Sequence, residues 1–398
     1  MKNFNKLLVA LGIQNIWQIG LFFPLHIIST LIFLLKVKIK ITNNLDRFIV
    51  VYFFVGIISL MILFIKLIIT QDDASNIIFI NSIKSFVVFS FFLVYFGVQD
   101  IDIKDFFSAV NFTITTIITF IFLHYLYLFF FSDWNFYQMR GQITWAKGWP
   151  QRYSIFCLIG FYIFWFKFQI SNRVMYLFIS LIFFSSIFLS GTRSVIFALL
   201  ISQLITLFIS KKNFKNVVFL YISVLTFIYF SNLDIVGNFR ISEIINYNTE
   251  ITGTSLSNRL NSLYPEVIQS MSKLELIFGK GHVGVAFIAD QDFSRDYKSL
   301  ESQYLDTLFR VGLLGLLVNI IILLIGIYYT YKILKTNLNS DLDYIFQGSV
   351  AWQIAVLFHG ITVETTRFSL YSLFYFLFLG IISEFYNRCG LKKNNSHK

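Results

Sequence analysis

Residues 48–69 read FIVVYFFVGIISLMILFIKLII, an apolar run broken by a single charge, Lys66. About twenty such residues, wound as a helix, match the hydrocarbon thickness of a bilayer. Backbone amides in lipid must find partners within their own segment, so a run of this kind predicts a membrane-spanning helix. The pattern recurs in apolar blocks at 16–35, 77–97, 107–131, 153–169, 174–190, 194–210, 216–231, 307–330, 344–362 and 368–386. The expected fold class is therefore all-α, a polytopic transmembrane helical bundle of about eleven spans. Residues 7–35 are long for one crossing and contain Gln14, Asn15 and Pro24, so a hairpin or re-entrant start, giving about twelve spans, also fits. Basic Lys2 and Lys6 precede that run with no small-residue cleavage site, which reads as a retained anchor.

Composition agrees. The chain is 57% hydrophobic and 19% aromatic, with a mean hydropathy of +0.71. Only 13% of it is charged, against roughly a quarter in soluble domains. The net charge of +11 does not point to nucleic acid, because Lys and Arg punctuate the gaps between blocks and do not line one face. Lys36, Lys38, Lys40 and Arg47; Lys167 and Arg173; Lys211, Lys212 and Lys215; Lys332 and Lys335; and Arg388, Lys392 and Lys393 occupy alternate gaps. Those gaps are expected in the cytoplasm, with the C-terminus. The intervening gaps then face outward. The largest is an extracytoplasmic loop, residues 232–304, between the spans ending near 231 and starting near 307, within a single integral membrane domain, 1–398. In that loop Leu256, Leu260, Leu263, Val267 and Ile268 recur at helical spacing, predicting an amphipathic surface helix within 255–278, ended by Gly279, Gly281 and Gly284.

No soluble catalytic module is visible. Gly279-Lys280-Gly281-His282-Val283-Gly284 lacks the spacing of a phosphate-cradling loop. His26, His124, His282, His359 and His397 are scattered without ligand spacing, so neither a metal nor a cofactor is expected. What remains is a set of ionisable residues at the outer edge: Arg140, Arg193, Arg259, Glu301, Glu364 and Arg367. Charge at that depth is costly unless paired or hydrated. A guanidinium is suited to a diphosphate, since its planar fork donates two parallel hydrogen bonds and stays charged when partly dried. The competing reading is that each Arg snorkels to headgroups and anchors a helix end. Glu301 reads either as a general base or as an N-cap acid of the next span. His282 reads as an acid or base, or as a solvated loop residue. The aromatics between Trp134 and Trp149 suit sugar stacking or an interfacial belt.

The order of these features resembles the O-antigen polymerase (Wzy) and O-antigen ligase group of membrane glycosyltransferases. Four elements carry the resemblance: Arg140-Gly141 ahead of Gly148-Trp149-Pro150; Ser190-Gly191-Thr192-Arg193-Ser194; Arg259 followed by Phe278-Gly279-Lys280-Gly281; and Glu301-Ser302-Gln303-Tyr304-Leu305 followed by Gly312-Leu313-Leu314-Gly315-Leu316. Ligases and some polymerases place His-Asn where this chain has Glu301-Ser302, which favours a polymerase.

The resemblance implies a glycosyltransferase that joins polyprenyl-diphosphate-linked oligosaccharide units outside the bacterial inner membrane, into O-antigen or capsule. Its implied catalytic residues are Glu301, Arg193 and Arg259. Arg140, Tyr304, His282, Gly279, Gly281, Glu364 and Arg367 are the implied substrate-binding set. The expected partners are the lipid-linked oligosaccharide, membrane lipid, a chain-length regulator and a flippase. A ligase, and a transporter of lipid-linked oligosaccharide, remain alternatives.

Overall fold

The computed structural model describes residues 39–70, 92, 95–97, 130, 150–189, 193–209, 213–232, 264–281, 302–336, 342–361 and 370–395. All regular structure among them is helical: α1 (Asn44–Thr70), α2 (Pro150–Ser171), α3 (Val174–Leu189), α4 (Arg193–Ile209), α5 (Asn213–Asn232), α6 (Tyr264–Gln269), α7 (Lys273–Phe278), α8 (Gln303–Lys335), α9 (Asp343–His359) and α10 (Leu370–Asn395). Eight of these coincide with apolar blocks of the sequence. The blocks at 16–35, 77–97 and 107–131 lie wholly or largely outside the described residues. By length and composition, Asn44–Ile65 and Gln303–Lys335 are long and apolar enough to cross a membrane.

The distribution of polarity is that of a lipid-solvated protein. Large apolar side chains stand exposed along α1 (Phe54, Met61, Ile65, Ile68), α3 (Val174, Met175, Phe178) and α4 (Phe197, Phe208). Ser180, Ser186, Ser202, Ser223 and Gln353 are buried. The hydroxyls of Ser180, Ser186 and Ser223 donate back to the carbonyls of Leu177, Ile182 and Phe219, which satisfies them without water.

Side-chain registers fix the helix directions. α2 and α3 are joined by two residues and run antiparallel, with Phe164 meeting Tyr176 and Phe161 meeting Phe184. α9 runs against α2, setting Gly348 on the Ile163 backbone and Tyr344 under Lys167. α1 runs against α8, with Ser59 at Arg310 and Asn44 and Leu45 at Tyr329. α10 runs alongside the long part of α8, bringing Gly326 to Leu379 and Tyr329 onto Tyr386, whose rings stack at 3.8 Å.

These directions divide the described cations, with Lys66, Arg152, Lys273, Lys280 and Arg310 toward the end where α4 starts. Arg47, Lys167, Arg173, Lys215, Lys332, Lys335 and Arg388 collect at one end of the bundle. A buried carboxylate, Asp46, ties that end together by accepting from Thr42, Asn43, Tyr95 and Ser383. The start of α4 at Arg193, the segment 264–281 and the turn at Gly312 lie at the other end.

Two expectations change. The loop segment is not one helix over 255–278: the described part is two short helices interrupted at Ser270–Ser272, where a capping box of Ser272 and Glu275 restarts the winding. The block 307–330 is not one straight crossing either. Gly312, at φ 70° and ψ −174°, breaks α8.

Candidate functional site

The break in α8 is a reversal. Gln303 donates its side-chain amide to Asn319 at 3.3 Å, although sixteen positions separate them. A straight helix would hold them about 24 Å apart. The short arm, 303–311, therefore folds back along the head of the long arm, 313–335. The long arm alone, at 1.5 Å per residue, is about 34 Å of helix and suffices to cross a bilayer.

The short arm is seated at its base against α9. Ser302 is its N-cap, receiving the Leu305 amide at 3.4 Å. The cap position is thus held by Ser302. The Gln303 amide donates to the Gly360 carbonyl at 2.9 Å, and the Tyr304 hydroxyl donates to the Leu357 carbonyl at 2.5 Å. The tyrosine hydroxyl is engaged between two helices.

At its tip the short arm receives the loop. A reversal frees the carbonyls that the next turn would have bonded, and buried carbonyls need partners. The Lys280 amide takes the Phe309 carbonyl at 2.7 Å, and the Gly281 amide takes the Arg310 carbonyl at 3.0 Å. Ser59 of α1 joins them, its hydroxyl donating to the Arg310 carbonyl and accepting from the Gly281 amide. Gly279 and Gly312 make this approach feasible. Both lie at positive φ, 85° and 70°. A Cβ on Gly279 would intrude on the Arg310 carbonyl, and one on Gly312 on the Ile277 carbonyl. The two Gly-containing motifs of the sequence thus meet backbone to backbone.

Between base and tip lies a buried ion pair that the sequence reading passed over. Arg310 donates through Nε to Asp306 at 2.7 Å, one turn apart on the short arm, with both residues at most 4% exposed. Tyr52 of α1 faces both charges and hydrogen-bonds Asn319. The available signal was two ionisable residues four apart inside an apolar run, a pattern that seldom occurs without a partner or a task.

Of the candidates read from sequence, Gly279, Gly281 and Tyr304 fall in this cluster. Arg193 begins α4 at the same end of the bundle. Arg140, Arg259, His282, Glu301, Glu364 and Arg367 lie outside the described residues.

Among proteins of curated function, none matches the chain. A protein family described as O-Antigen ligase matches residues 177–320, from the first turn of α3 to the long arm of α8. That span includes Arg193, the docked loop and the whole reversal. Together with the apolar helices, the match points to an integral membrane protein. Over residues 177–320 the chain is therefore similar to the O-antigen ligase family, consistent with the O-antigen polymerase and ligase group.

Proposed function

We propose that this protein is a membrane polymerase that joins polyprenyl-diphosphate-linked oligosaccharide repeats on the outer face of the bacterial cytoplasmic membrane. The family match supports a glycosyltransferase-like enzyme acting on lipid-linked oligosaccharide. The observation that carries the reading is spatial: the start of α4, the docked 264–281 segment and the α8 reversal share the end opposite the described basic cluster. By the bias of basic residues toward the cytoplasm, that end faces outward. The full bundle on this reading has about eleven spans, with residues 232–304 as its extracytoplasmic loop.

In the proposed reaction an acceptor sugar hydroxyl attacks the anomeric carbon of the donor. The bond from that carbon to the diphosphate oxygen breaks as the new glycosidic bond forms. The leaving polyprenyl diphosphate takes the electron pair, and the hydroxyl proton passes to a base. Arg193 and Arg259 are assigned to the developing diphosphate charge, where fixed cations lower the barrier. Glu301 is assigned as the base. Arg140, His282, Glu364 and Arg367 are assigned to orienting lipid or sugar, with Tyr304, Gly279 and Gly281 shaping the wall. A chain-length regulator and a flippase would act beside it.

Glu301-Ser302, standing where ligases and some polymerases carry His-Asn, favours a polymerase over a ligase. Deleting the gene tests this directly. Single repeats accumulating on the lipid carrier are expected. Finished polymer left on the carrier would make it a ligase, and unaltered surface glycan would remove it from the pathway.

A further inference from the structure

We infer that Asp306 and Arg310 are positioning residues, whose buried pair beside Tyr52 of α1 sets the rotation of the short arm of α8, and so fixes both how its tip meets the docked loop and where Ser302, Gln303 and Tyr304 at its base are presented. The inference rests on the polymerase reading for its activity readout alone.

Three observations carry it. First, Arg310 is where three segments meet. Its side chain grips Asp306 one turn back, while its carbonyl is held by Gly281 of the loop and Ser59 of α1. Second, the pair sits on an arm only nine residues long, 303–311, ending at a positive-φ glycine. A helix of that length is marginal without tertiary support, so its orientation depends on such contacts. Third, the pair is nearly dry, with Tyr52 alongside. A buried ion pair is a poor device for stability, since well-packed apolar residues of similar volume commonly do as well or better. Its use here is geometric. Because both charges are buried beside Tyr52 of α1, the pair fixes which face of the arm turns toward α1 and hence the rotation of the arm about its own axis, and the arm carries Ser302, Gln303 and Tyr304 at its base.

The test uses the full-length protein in detergent and in proteoliposomes. The main variant is the double substitution Asp306→Leu/Arg310→Met, which removes both charges together and leaves none stranded. Asp306→Asn, which keeps the shape of the side chain, serves if the double variant does not fold. Hydrogen exchange at the Lys280 and Gly281 amides is measured without reference to activity, and protection is expected to fall about tenfold or more. Elongation is measured on lipid-linked repeats extracted from a strain lacking the polymerase. The expected result is kcat reduced by about 100-fold, as a displaced reacting group gives, with KM changed by less than about threefold. Wild-type protection at 280–281, or a wild-type kcat in a folded variant, overturns the inference. Should the wild-type protein itself elongate nothing, the polymerase reading fails, and the exchange measurement still decides whether the ion pair positions the arm.

Discussion

Gln303 and Asn319 stand sixteen positions apart on one helix and share a hydrogen bond of 3.3 Å. That single contact marks the block as a hairpin: a short arm, a reversal at Gly312 and a full-length second arm running back past it. Non-helical backbone at membrane depth is tolerated where protein covers it or where it lines a cavity. Here the loop's own amides supply the cover.

Gly312→Ala is expected to be the most damaging conservative change in the described residues. At φ 70° and ψ −174° the backbone lies in a region essentially reserved for glycine, and an L side chain there costs about 1–3 kcal/mol. The added methyl also meets the Ile277 carbonyl, a backbone atom that cannot rotate away, for about 1–3 kcal/mol more. Gly56→Ala in α1 is the control, since open space surrounds that position, and it should gain up to about 1 kcal/mol from helix propensity. Membrane abundance and the detergent melting temperature of the two variants give the comparison.

Gly279→Ala and Gly281→Ala should separate, although both glycines have positive φ. The Gly279 methyl would strike the Arg310 backbone, whereas that of Gly281 meets the Leu63 side chain at 2.9 Å, which can yield. Ser59→Ala removes the hydroxyl shared by Arg310 and Gly281 and should cost about 1 kcal/mol. The expected order of melting temperatures is Gly279→Ala lowest, then Gly281→Ala, then Ser59→Ala. Equal values for the two glycine variants would mean that the loop does not dock on the Arg310 carbonyl.

The helices were legible because lipid leaves the chain few choices: a twenty-residue apolar block must wind, and charges must fall between blocks. The reversal was not legible, because Gly312-Leu313-Leu314-Gly315 has the same apolar content in a straight helix as in a bent one. The bend is closed by a partner more than thirty positions away, Gly279, whose backbone abuts the Arg310 carbonyl. The Asp306–Arg310 pair is written in the sequence as two ionisable residues four apart beside an apolar run, and its burial depends on the reversal, which no local pattern shows. Tyr304 is expected from the resemblance to bind substrate, and its hydroxyl joins α8 to α9.

Tyr304→Phe separates the two roles of that residue. Its hydroxyl donates to the Leu357 carbonyl, so the loss is expected as about 1 kcal/mol of stability. KM for lipid-linked repeats should stay near the wild-type value. A rise in KM of about tenfold without destabilisation would instead place the hydroxyl on the substrate.

The assigned chemistry is tested by Arg193→Lys, Arg259→Lys and Glu301→Gln. Lysine keeps the charge and loses the planar fork, so a site that holds a diphosphate bidentately should suffer from an exchange that a snorkelling anchor would tolerate. Elongation rates about 100-fold below wild type are expected for each arginine variant at normal membrane abundance, the size of effect seen when a preorganised donor to a developing charge is lost. Glu301→Gln keeps shape and hydrogen bonding but cannot accept the proton. Since Ser302 already caps the arm, the substitution should leave the fold intact while slowing turnover by about 100-fold or more. Gel profiles of surface polysaccharide, with membrane abundance measured in parallel, read all three. Full-length polymer from the arginine variants would return Arg193 and Arg259 to helix anchoring, and wild-type turnover with Glu301→Gln would move the base elsewhere.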